Sequence, residues 1–223
     1  MTDRDPKSRH PKSRTLVKIC GLTDPDNAAA CAQAGADIIG LVFYPKSPRH
    51  VEWFQAKAVV NALPAHVPAW GVFVNENPNV IMETVHTCGL KGVQLHGQEP
   101  PGLITALKSQ HLTVTKAVFA SRTPGIETID TWYQAADFFL VECGQGTLPG
   151  GNAKTWNYRQ VRKTARDHPV ILAGGLCCDN IDQALAQADP TGVDVSSGVE
   201  SSPGIKDVDL AAEFIRRVKN KKT

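Results

Sequence analysis

None of the six cysteines, at 20, 31, 88, 143, 177 and 178, stands in a Cys-x-x-Cys pair, and the adjacent Cys177-Cys178 has no standard zinc spacing. The seven histidines form neither His-x-x-x-His nor His-Glu-x-x-His. No structural metal is therefore expected, and the thiols are expected to be reduced. The chain lacks a run of eighteen apolar residues, and no short apolar core of a secretory signal stands near its start. A soluble, cytoplasmic protein with no membrane partner is the expectation. Net charge is only +2, and part of it comes from Arg4, Lys7, Arg9, Lys12 and Arg14 near the start. The body is close to neutral and carries no binding motif, which argues against a nucleic-acid partner. No G-x-G-x-x-G follows the first strand and no G-x-x-x-x-G-K-[ST] occurs anywhere, so a nucleotide fold lacks its marker.

A hydrophobic share of 42% against 21% charged residues makes a packed core feasible. Residues 1–14 repeat Pro-Lys-Ser-Arg with almost nothing apolar, and read as a disordered leader. Residues 15–223 then read as one domain. It opens on Val17-Lys18-Ile19-Cys20-Gly21-Leu22-Thr23-Asp24-Pro25: a short strand, a glycine turn and a helix start. Thr23 or Asp24 suits the N-cap, and Pro25 the first helical position, where no amide hydrogen is needed. The pattern recurs. Apolar runs near 36–43, 69–74, 92–97, 113–119, 137–142, 169–176 and 192–200 alternate with helical stretches near 53–63, 78–88, 101–108, 126–134, 156–166 and 208–219, and Asp179-Asn180 caps a further one. Near-continuous apolar strands suit a parallel sheet buried on both faces. Eight strand–helix units point to a single α/β domain, a closed (β/α)8 TIM barrel, with a doubly wound open sheet as the other architecture.

In such barrels the chemistry gathers at the carboxyl ends of the strands. Cys20 ends the first strand, Arg49 sits in the second loop, His96 ends the fourth strand and Glu142 the sixth. Asp194, Ser196 and Ser197 close the eighth. Lys18 shares a strand face with Cys20, since residues two apart point the same way, and is placed to lower the thiol pKa. Gly174-Gly175 and Ser197-Gly198 follow the seventh and eighth strands, where loop amides often bind phosphate. The bland readings stay open beside these: Cys20 as a small core hydrophobe, Arg49 as a solvated loop residue, His96 as a structural histidine. A thiol facing a carboxyl forms an acid/base pair that needs no metal and no cofactor. Proton transfer on a sugar phosphate, by an isomerase or epimerase, is the chemistry this suggests.

Lys18-Ile19-Cys20-Gly21, Gly92-Val93-Gln94-Leu95-His96-Gly97, Leu172-Ala173-Gly174-Gly175-Leu176 and Asp194-Val195-Ser196-Ser197-Gly198-Val199-Glu200 together resemble the phosphoribosylanthranilate isomerases of tryptophan synthesis. The resemblance runs in order from about residue 16 to 219. It implies an Amadori rearrangement of N-(5-phosphoribosyl)anthranilate, with Cys20 as general base and Arg49 on the anthranilate. It further implies Gly174, Gly175, Ser197 and Gly198 on the phosphate, and Asp194 lining the pocket. The family's general acid is an Asp ending the sixth strand, where this chain has Glu142. Gly150-Gly151-Asn152-Ala153-Lys154-Thr155 and Trp156-Asn157-Tyr158 also depart from the family pattern. Glu142 as acid is one methylene longer, about 1.5 Å. That leaves two other readings: a diverged paralogue acting on another aminosugar phosphate, or a barrel that binds sugar phosphate without turnover. A family member that instead belonged with the related histidine-pathway isomerase would carry Asp rather than Cys20 on strand one. No oligomeric state follows from the sequence.

Overall fold

The structure, a computed structural model, describes residues 14–132, 135–144 and 155–220. The expected leader falls outside them except for Arg14, which pairs with Asp37 at 3.3 Å. So does the expected loop-six motif, apart from Thr155. Strands β1 (Leu16–Cys20), β2 (Ile38–Val42), β3 (Ala69–Phe73), β4 (Gly92–Leu95), β5 (Thr113–Phe119), β6 (Phe138–Glu142), β7 (Val170–Leu172) and β8 (Gly192–Val195) pair in parallel and in sequence order. β8 returns to β1 and closes the barrel. Helices α1 (Pro25–Gln33), α2 (Trp53–Ala62), α3 (Pro78–Cys88), α4 (Pro101–Lys108), α5 (Ile129–Trp132), α6 (Arg162–Asp167), α7 (Ile181–Ala188) and α8 (Val208–Lys219) lie between and after the strands. After β8 a short antiparallel hairpin, β9 (Glu200–Ser202) and β10 (Ile205–Lys206), is added to the plan. Among the described residues no helix is long and apolar enough to cross a membrane.

Strand alternation sorts the buried side chains into two layers. Val17 and Ile19 of β1, Phe139 and Val141 of β6, and helix residues such as Ile81, Val85, Phe214 and Ile215 share one large cluster, the layer between sheet and helices. Ile38, Trp70, Ala117, Phe119, Leu140, Ile171 and Ala173 form a second cluster that includes no helix residue, the filling of the barrel itself. Lys18 and Cys20, one step out of phase with Val17 and Ile19, therefore point inward.

The helix starts follow local chemistry. Asp24 caps α1 by accepting from the amide of Asn27 at 2.8 Å, with Pro25 in the first turn. Asp207 does the same for α8, accepting from the amides of Asp209 and Leu210. Three expectations are corrected. Asn180 stands at the cap position of α7 without making a cap hydrogen bond. Its side chain instead donates to the Gly175 carbonyl and accepts from the Cys177 amide, pinning the preceding loop. The helix expected over 156–166 shrinks to a 3-10 turn (Tyr158–Val161) and α6, because Trp156 and Tyr158 are drawn onto loop seven. They donate to the carbonyls of Ala173 and Gly174, each at 3.0 Å. Of the helix expected over 126–134, residues 126–132 form a 3-10 turn (Ile126–Thr128) running into α5, and residues 133–134 lie outside the described ones.

Candidate active site

The carboxyl ends of the strands bring the expected residues to one mouth of the barrel. Cys20 is buried at the end of β1, and the fully buried Lys18 stands beneath it with Nζ 2.7 Å from Asp194 Oδ1 of β8. Strand pairing sets this up, for Lys18 and Asp194 are register partners. Burial pushes the Cys20 thiol above its ordinary value, Lys18 pulls against that, and Asp194 adds to the rise. So Lys18 does act on the thiol in the expected direction, but burial outweighs it. Burial also works against the charge of Lys18, yet Asp194 and Cys20 together hold its pKa above the usual lysine value. Room for this pair comes from Gly40 on β2. A Cβ there would lie 2.7 Å from Cys20 Sγ and 2.9 Å from Lys18 Nζ, closer than side-chain carbons approach.

Arg49, in the loop after β2, is not solvated. It is 9% exposed and forked onto Glu200 of β9, Nε to Oε1 at 2.7 Å and Nη2 to Oε2 at 2.6 Å. Asp194 is likewise committed, to Lys18, rather than free in the pocket.

Across the barrel, Glu142 ends β6, and its Oε1 is 3.3 Å from His96 Nε2. Gln94, two residues back on β4, places its amide nitrogen 2.9 Å from His96 Nδ1. With that amide donating to Nδ1, the imidazole proton sits on Nε2 and points at Glu142. His96 is thus more than a filler: it touches the carboxylate that sequence reasoning placed in the chemistry.

Loops seven and eight meet at the same mouth. Gly174 and Gly175 take φ values of 88° and 67°, open to glycine and rare for other residues. Gly198 packs against loop seven so tightly that a Cβ would come 1.9 Å from the Leu176 carbonyl oxygen. The amides of Gly174, Gly175, Ser197 and Gly198 meet no acceptor among the described residues.

Sequence reasoning assigned no role to three residues of this constellation: Gly40, Glu200 and Lys206. Glu200 stood inside a quoted motif, and a carboxylate two residues past Gly198 was signal enough. Lys206 Nζ lies 2.7 Å from Glu200 Oε1, and nothing in the local sequence announces it.

The family model described as N-(5'phosphoribosyl)anthranilate (PRA) isomerase matches residues 17–217. The chain belongs to the PRA isomerase family. It is an isomerase of that family's kind, an enzyme of tryptophan biosynthesis. The PRA isomerase of Desulfatibacillum aliphaticivorans is 47% identical over 200 residues, covering 90% of this chain and 91% of the relative. The PRA isomerase of Trichlorobacter lovleyi is 40% identical, covering 91% and 97%. Among solved structures, the PRA isomerase of Thermotoga maritima aligns with a TM-score of 0.83 at 35% identity, covering 92% of this chain and 98% of that one. A further PRA isomerase structure holds reduced 1-(o-carboxyphenylamino)-1-deoxyribulose 5-phosphate. It aligns with a TM-score of 0.81 at 34% identity, again covering 92% and 98%.

Proposed function

We propose that the chain converts N-(5-phosphoribosyl)anthranilate to 1-(2-carboxyphenylamino)-1-deoxyribulose 5-phosphate, with Glu142 as general acid and Cys20 as general base. The observation that carries the assignment of roles is the placement of one inward thiol and one carboxyl at the ends of β1 and β6, on opposite sides of one barrel mouth. Glu142 gives its proton to the ribose ring oxygen, the bond from C1 to that oxygen breaks, and the nitrogen lone pair closes on C1 as an iminium. Cys20, as thiolate, takes the proton from C2, and the electrons of that bond form C1=C2 while neutralising the nitrogen. The enolamine then gains a proton at C1 and loses one from its C2 hydroxyl, leaving the ketone. His96 orients the Glu142 carboxyl and, through Nε2–H, stabilises it once its proton has gone.

The loops support the rest of the reading. The amides of Gly174, Gly175, Ser197 and Gly198, which meet no acceptor among the described residues, suit a phosphate without any lysine or arginine of their own. Arg49 holds the substrate carboxylate through Nη1, and Asp194 shapes the pocket while keeping Lys18 charged beside the thiol. The partner is then a small sugar phosphate, not nucleic acid. The free thiols suit the reducing cytosol.

Loss of phosphoribosylanthranilate fluorescence follows turnover directly. Wild type turns the substrate over, while Cys20→Ser and Glu142→Gln each lower kcat by about 100-fold or more, the usual worth of a positioned acid or base. Inhibition by the reduced product stays within a few-fold in both. A Cys20→Ser enzyme with a tenth of wild-type turnover removes Cys20 from the mechanism. Wild-type rates in Glu142→Gln do the same for Glu142.

A further inference from the structure

The hairpin β9–β10 is not part of the barrel plan, yet it is fastened to the start of the chain's first helix. The Gly204 carbonyl accepts from both the amide and the hydroxyl of Thr23. Asn27 of α1 donates to the Lys206 carbonyl and accepts from the Lys206 amide, each at 2.8 Å. A hairpin pinned this firmly carries its side chains as a rigid unit. The two that point back into the mouth are Glu200 and Lys206, with side chains 6% and 0% exposed.

Glu200 is saturated. Oε1 receives Arg49 Nε at 2.7 Å, Lys206 Nζ at 2.7 Å and the Gly204 amide at 3.2 Å, while Oε2 receives Arg49 Nη2 at 2.6 Å. Burial works against its ionisation, but Arg49 and Lys206 together hold its pKa below the usual carboxylate range. Lys206 reaches further, to the carbonyl and hydroxyl of Ser196, and the Ser196 hydroxyl donates to the Cys20 carbonyl at 2.9 Å. One continuous chain of polar contacts thus runs from the guanidinium to the backbone of the thiol strand. On Arg49 itself, Nε and Nη2 are spent on Glu200, and Nη1 makes no hydrogen bond among the described residues.

We infer that Glu200, braced by Lys206, is the positioning residue for Arg49: it fixes the fork by two nitrogens so that Nη1 is presented, at a set distance from Cys20, to the carboxylate of the substrate's aromatic amine. This deepens the proposed function and rests on Arg49 as the carboxylate contact. Glu200 does not compete for that role. Three donors besides Nη2 satisfy it, so nothing about substrate arrival requires it to let go. A flexible arginine would pay rotamer entropy on binding, whereas a clamped one has already lost it. The device serves substrates with an anion on the aglycone and does nothing for phosphate.

Four variants test it: Arg49→Ala, Glu200→Gln, the double variant Glu200→Gln/Lys206→Met, which removes the buried ammonium together with its carboxylate should Glu200→Gln fold poorly, and that double variant combined with Arg49→Ala. KM and kcat for phosphoribosylanthranilate are read alongside inhibition by inorganic phosphate. The double variant is expected to raise KM by about tenfold, the worth of one charge-assisted hydrogen bond. Its kcat stays within about threefold and its phosphate inhibition within about twofold. Added to Arg49→Ala, it changes KM by less than about twofold, since the group it positions is gone. An unchanged or lowered KM overturns the inference, and so does a full effect on the Arg49→Ala background or a matching loss of phosphate inhibition. If Arg49→Ala itself leaves KM unmoved, it is the reading of Arg49 as the carboxylate contact that fails, a result distinct from the others.

Discussion

Three lysines of this barrel are buried, each facing a carboxylate at 2.7 Å, and the surroundings of two of them, Lys18 and Lys116, drive them in opposite directions. Lys18 lies inside the barrel, where Asp194 and the Cys20 thiol hold its proton more tightly than burial can loosen it. Lys116 lies on the helix-facing side of β5. Burial prevails there and lowers its pKa, although Glu99 opposes it. Its ammonium also donates to the carbonyl of Gly97, and Glu99 accepts from the amides of Gly97 and Asn75. One pair therefore acts on the thiol proposed as the base, and the other ties strand ends together. An ion pair's distance says nothing about its use; what else faces the charge does.

The widest separation between the two should appear in stability. Glu99→Gln strands a buried ammonium and is expected to cost about 3–5 kcal/mol in denaturant unfolding. Adding Lys116→Met should restore much of that, because a neutral pair needs no compensation. Neither change should move the pH dependence of kcat/KM. Gly40→Ala comes next. Its Cβ would collide with Cys20 Sγ, Lys18 Nζ and the Cys20 backbone, and displacing the base should lower kcat/KM by about tenfold or more, with misplacement near 1 Å worth about 100-fold. The unfolding midpoint should fall less than for Glu99→Gln.

The finest test is one of sign. Burial raises the thiol pKa, so the rate at which an alkylating reagent modifies Cys20 should climb only as alkali produces the thiolate. Lys18→Met removes the cation that pulls the thiol down, so the climb should move to higher pH. Asp194→Asn removes an anion that pushes it up, so the climb should move to lower pH. Shifts in the same direction for both variants, measured in pH–rate profiles, would break the contrast between the two lysines.

The sequence disclosed the barrel because a strand buried on both faces leaves an unmistakable apolar run, as in 36–43 and 137–142. It placed Cys20 and Glu142 at strand ends, where the structure has them. It was poorer where a residue's use depends on a partner far along the chain. Arg49 could be named as an anion contact from the resemblance, but not its clamp, because Glu200 lies 151 residues later. Asn180 looked like a helix cap because its competing partners, Gly175 and Cys177, are set by the shape of loop seven. Helix six was overdrawn for the same reason, since the indole of Trp156 prefers a carbonyl on the neighbouring loop to a place in the first turn.

The barrel's seam has a consequence for the chain as it is made. Lys18 and Cys20 lie on the first strand, while Asp194, Glu200 and Lys206 emerge only at the far end, and they meet when β8 pairs with β1. A nascent chain that has reached β6 already owns its thiol and its carboxyl, but the thiol has no tuned cation and Arg49 has no clamp. On the proposed assignment of roles, turnover waits for the last strand to dock. A ribosome that stalls before β8 leaves the sheet without the strand that closes it, and appearance of turnover during synthesis would time the closing of the seam.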